Sequence, residues 1–105
     1  MTTKSPQSST SGKKLAAVEA EIAAERVAAL GRSEQRLRQA VEALRQFDAG
    51  QSRARSRDRL LKDASDACMG YVVHRETMGL TRENIQQLRR ECGVPDEVWN
   101  QMGAM

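Results

Sequence analysis

Aromatic residues are nearly absent from this chain: one Trp, one Tyr and one Phe in 105 residues. Nothing aromatic is interleaved with its basic residues, so a base-stacking platform for single-stranded nucleic acid is not expected. Cysteine is limited to Cys68 and Cys92, too few for a disulfide framework. Windows rich in β-branched residues are few and none alternates cleanly, which excludes a sheet. No stretch approaches the ~20 apolar residues that a spanning helix needs. Met1–Gly12 has no apolar run of the kind that marks a secretory signal. A cytoplasmic, non-membrane protein is the expectation.

What is present is Ala, Leu, Glu, Gln and Arg, the composition of helix bundles and coiled coils. A chain of this length makes one small domain with a modest core, so marginal stability or oligomerisation is expected. The expected division is a disordered tail over residues 1–12 and a single helical domain over 13–105. The tail, MTTKSPQSSTSG, is rich in Ser and Thr and has no large hydrophobe to offset its ordering entropy.

The clearest element is RLLKDASDACMGYVVHRETMGL, residues 59–80. Leu60, Leu61, Ala64, Ala67, Cys68, Tyr71, Val72 and Met78 recur at helical steps and lay one apolar stripe. Arg75 falls on the same stripe, where its aliphatic stem can cover the edge while its head reaches water. Gly79 is the expected C′ residue, with Leu80 as its apolar contact.

Lys13–Asp48 predicts a long first helix. Leu15, Val18, Ile22, Leu30, Leu37, Val41, Leu44 and Phe47 mark its seam, with Ala23, Ala29 and Ala40 between them. The large steps from Leu15 through Ile22, Leu30 and Leu37 to Leu44 are 7, 8, 7 and 7, near a straight 3.6 period. Gly31 could split this helix, with Ser33 capping a second piece. Helix formers on both sides and the lack of proline favour continuity. Ala49–Ser56 is the turn, where Gly50 ends one helix and Ser52 or Ser56 caps the next. The result is an antiparallel helical hairpin. Thr81 can cap a third helix, Arg82–Cys92, with Ile85, Leu88 and Cys92 inward and Gly93 at its end. Pro95 suits the first turn of a last short helix. That helix carries Val98, Trp99 and Met102, and Gly103 ends it. Trp99 is expected to plug the open end of the hairpin.

At ~1.5 Å per residue the first helix outruns the second by about 20 Å. Its stripe nevertheless continues through Leu15, Val18 and Ile22. A second copy is the simplest cover, so a homodimer through that face is expected if the helix is continuous. Residues 14–30 could instead fold back if it splits.

Chemistry is sparse. Cys68, His74 and Cys92 are the candidate metal ligands, but the 68–74 gap shares no helix face and no CxxC or HExxH is present. His74 lies off the stripe, as a surface residue would. Cys68 and His74 fail as a nucleophile and base on the same spacing. No catalytic, cofactor-binding or metal residue is assigned, no small-molecule substrate is expected, and the chain is not read as an enzyme. The formal charge is +3. Its basic excess equals one loop, where Arg53, Arg55, Arg57 and Arg59 oppose Asp58. Those arginines could bind phosphates non-specifically and in a salt-sensitive way. The C-terminal stretch has the outline of a helix-turn-helix, but Arg89 stands where a small residue belongs. Its last helix opens with Asp96 and Glu97, which would repel phosphate.

The segments ALGRSEQRLRQAVEAL, RDRLLKDASDACMGYVVHRETMGL and CGVPDEVWNQMG together resemble a family of short helical bacterial proteins classed as a domain of unknown function. The likeness covers residues 20–104. It rests on the LGR at Gly31, the HRE.MGL turn around His74, Arg75 and Glu76, and the GVP.EV restart at Gly93. The resemblance implies an all-helical bacterial fold and brings no activity, cofactor or site residue.

Overall fold

A computed structural model describes residues 4–54, 56–79 and 82–103, with side chains on the first helix from Gly12 onward. The described residues form helices α1 (Lys4–Asp48), α2 (Arg57–Thr77), α3 (Arg82–Glu91) and α4 (Asp96–Gln101), and no strand is found among them. The fold is all-α: a long first helix hairpinned onto a second, followed by two short C-terminal helices.

Helix α1 runs unbroken through Gly31, so the split does not occur. A Cβ at Gly31 would meet open space, so this glycine serves no close approach. The helix starts at Lys4, well ahead of the Lys13 start that the sequence predicts. Residues 4–12, read from composition as a disordered tail, thus carry helix, while Met1–Thr3 lie outside the described residues. Pro6 falls in the first turn, where its missing N–H would have had no intrahelical partner.

The Asp48–Arg57 connection turns the chain back. Gly50 has a φ of 74°. Ser56, not Ser52, caps α2: its Oγ accepts from the Arg59 N–H at 3.2 Å, whereas Ser52 Oγ accepts from Ala54 N–H within the turn. Helix α2 ends at Thr77, and Gly79 follows at φ 83°, a conformation that a side chain would strain. The expected Leu80 contact and Thr81 cap lie outside the described residues.

Leu37, Val41 and Leu44 of α1 pack against Ala64, Cys68, Tyr71 and Val72 of α2, and Ile85, Leu88, Val94 and Val98 close the same core. Leu37, Leu44, Leu88, Cys68, Val72 and Val98 are the large side chains shut off from solvent. Each buried Leu or Val contributes roughly 1.5–3 kcal/mol of transfer free energy. Leu30, Leu60, Trp99 and Met102 pack against this core partly buried, and Phe47 is also half-buried.

Two packing expectations are corrected. Met78 was expected on the α2 stripe, but it lies one residue past the helix, where no core remains beneath it, and is exposed. Trp99 does not plug the open end of the hairpin. Helix α3 runs back along the body, with its Glu91 carbonyl accepting from Arg38 Nη1 at 3.3 Å. The Gly93 turn, at φ 63°, then delivers α4 to the loop end beside Arg57. Pro95 is the N-cap of α4 rather than a first-turn residue, and its carbonyl accepts from Trp99 N–H at 3.1 Å.

Candidate interaction face

Helix α1 spans about 68 Å and α2 about 32 Å at 1.5 Å per residue, and the molecule's longest dimension is 74 Å. The C-terminal end of α2 comes alongside α1 near Ala23, Val27 and Ala29. There His74, Thr77 and Met78 complete an open groove of about 740 Å³. Ahead of that groove α1 continues with no described segment of this chain against it. Leu15, Val18 and Ile22 are 60%, 49% and 47% exposed, against 0% for Leu37 further along the same helix. The overhang anticipated from helix lengths is present, and it is apolar. Val27, 61% exposed, adds a large aliphatic that the seam pattern left out because it sits on another side of the helix.

Charge borders this face. Lys14, Glu19, Glu21 and Arg26 flank the stripe and are exposed. Glu25 is held by Arg32 Nη2 at 2.6 Å along the same helix.

The basic loop is less free than its sequence implies. Arg57 Nε and Nη2 donate to Asp48 Oδ1 and Oδ2 at 2.7 and 3.1 Å. Its Nη1 and Nη2 also donate to Glu97 Oε1 and Oε2 at 2.8 and 2.7 Å. These hydrogen bonds hold the Asp48 and Glu97 carboxyls below their ordinary range and push the guanidinium the other way. Arg59 Nε donates to Asp63 at 3.2 Å. Arg53 is exposed and Arg55 lies outside the described residues. Two of the four arginines thus face carboxylates of this same chain.

The helix-turn-helix outline resolves into inward packing. Arg89 pairs with Asp96 and lies 5.3 Å from the Trp99 ring centroid. Asp96 and Glu97 are therefore both taken up in ion pairs. No sequence periodicity announces these contacts, because they join residues brought together by the Gly93 turn.

Cys68 and Cys92 are free and buried. Burial pushes the Cys68 thiol up to about 12 and raises Cys92 as well, so both remain protonated at neutral pH. His74 is exposed, as read. Among the described residues no group of three or more His, Cys, Asp or Glu could hold a metal ion. No helix among them is long and apolar enough to cross a membrane. Arg75 lies 5.6 Å from the Tyr71 ring centroid and donates from Nη1 to the Tyr71 hydroxyl at 3.0 Å. Its Nε is shielded from solvent, with no acceptor among the described residues.

Fold and face together define a class: an all-helical protein whose first helix projects an apolar stripe beyond a small bundle. The chain belongs to the family of unknown function DUF6665, whose model matches residues 6–105. That match extends the likeness seen at residues 20–104 into the N-terminal segment. No curated protein and no solved structure matches the chain.

Proposed function

We propose that this chain is a non-enzymatic helical interaction module that self-associates through the Leu15, Val18 and Ile22 face of α1. The observation that carries this reading is an uncovered apolar stripe. One helix buries Leu37, Val41 and Leu44 against the body and exposes three large aliphatics on an adjoining face, ahead of the point where α2 ends. Contiguous exposed apolar surface commonly marks an association site. The two free, protonated thiols suit a reducing compartment such as the cytoplasm. Three apolar layers per chain make an interface short of the ~1,200–2,000 Å² that stable complexes bury, so the dimer dissociates on dilution. The test is absolute mass by light scattering across a concentration series. A mass rising from one 11.7 kDa chain toward two, and held at one by Ile22→Asp, supports the reading. One chain at every concentration ends it.

Phosphate binding through Arg53, Arg55, Arg57 and Arg59 has less in its favour, since Arg57 and Arg59 already face acids. A steeply salt-dependent affinity for a generic duplex, lost when Arg53 and Arg55 become Gln, would reinstate it.

A further inference from the structure

We infer that the second copy lies parallel to the first and in register; the inference rests on the self-association reading and adds its geometry. Leu15, Val18 and Ile22 are spaced as successive a, d and a positions of a heptad. On that assignment Lys14 and Glu21 are g positions, and Glu19 and Arg26 are e positions. In a parallel pair each g residue meets the e residue five positions further along the other copy. Lys14 then meets Glu19 of the second copy, and Glu21 meets Arg26 of the second copy. Both pairings are of opposite charge, and the two-fold axis doubles them. An antiparallel pair has two registers on the same stripe: one keeps Lys14 with Glu21 but sets Glu19 against its own copy, and the other keeps Glu19 with Arg26 but sets Glu21 against its own copy. Each carries a like-charge contact that the parallel pair lacks. Charges at e and g select orientation, and here they select parallel.

The body leaves room for this arrangement. At ~100° per residue the exposed stripe lies roughly 70° around α1 from the line that packs on α2. A parallel helix on the stripe therefore sits beside α2 instead of in its place. Arg26 faces the groove at the end of α2, so Glu21 of the second copy approaches a site that already presents a cation. The seam ends at Glu25, whose carboxylate Arg32 holds within its own chain.

Two measurements on the full chain test the orientation. Leu15→Cys and Ile22→Cys are each oxidised mildly, alone and mixed; the native thiols are buried and do not compete. A parallel pair crosslinks each variant to itself, at both positions. An antiparallel pair brings at most one of these positions onto its own copy and crosslinks the mixture instead. Separately, Arg26→Glu places two acids together in the parallel pair and weakens association several-fold, and Glu21→Arg with Arg26→Glu restores it. In either antiparallel register the double variant fails to restore association, because it sets a cation at position 21 against Lys14 or against its own copy. Self-crosslinking at both positions with charge-swap rescue supports the inference. A concentration-dependent dimer with mixed crosslinks only, or with no rescue by the double variant, overturns the orientation and leaves self-association standing. A chain that is monomeric throughout overturns both.

Discussion

Arg57 grips Glu97 across forty positions of sequence, with two hydrogen bonds of 2.7 and 2.8 Å between one guanidinium and one carboxylate. The same guanidinium holds Asp48 at the end of α1. One side chain thereby joins the end of the first helix, the start of the second and the last helix. Both carboxyls are held below their ordinary values, so the folded state binds fewer protons than the unfolded state at acid pH. Their contribution is present above the unfolded carboxylate range and is lost as pH falls through the depressed folded values. The melting temperature should stay level from pH 7 to about 5 and drop below about 4. Glu97→Gln should flatten that acid drop, which thermal melts at matched ionic strength read directly.

Glycines that look alike in sequence should respond in opposite directions. Gly31 lies inside α1 with open space where a Cβ would go. Gly31→Ala should stabilise by about 1 kcal/mol, the helix-propensity difference. Gly79 holds a φ of 83° after α2, so Gly79→Ala should destabilise by about 1–2 kcal/mol. Urea unfolding at low protein concentration, where association does not contribute, measures both.

Two aliphatics on opposite sides of the burial divide should separate stability from association. Leu88 is fully buried, and Leu88→Ala should cost about 2–5 kcal/mol. Ile22 is 47% exposed, and Ile22→Ala should change the stability of the single chain by under about 0.5 kcal/mol. The same Ile22→Ala change should weaken self-association in the light-scattering series.

Thiol chemistry reports folding here. Cys68 is fully buried and pushed up to about 12. At pH 8 a disulfide reagent should label the native protein slowly at this position and the urea-unfolded protein at once. Labelling of the folded chain at the rate of a free thiol would show that the core around Val72 and Leu88 opens readily.

Much of the fold was legible because it is written locally. The α2 stripe, the Gly79 and Gly93 stops and the inward Ile85, Leu88 and Cys92 follow from a 3.6-residue period and from glycine's freedom at positive φ. The overhang was legible too, since it needs only two helix lengths. The start of α1 at Lys4 was missed because the Ser- and Thr-rich composition argues against helix while saying nothing of propagation from the helix behind it. The exposure of Met78 was missed because periodicity does not say where a neighbouring core ends.

The sequence by itself determined that this protein is helical, where its four described helices stop, and that an apolar seam runs past the partner available within the chain. Those features depend on residues within one or two turns of each other. Only the tertiary structure decided that α4 lies at the loop end, that Trp99 meets Arg89, and that Arg57 is occupied by Glu97. Such contacts join residues far apart in the chain. Their pairing depends on the direction in which α3 leaves α2 and on the angle of the Gly93 turn, and neither is encoded in any local period.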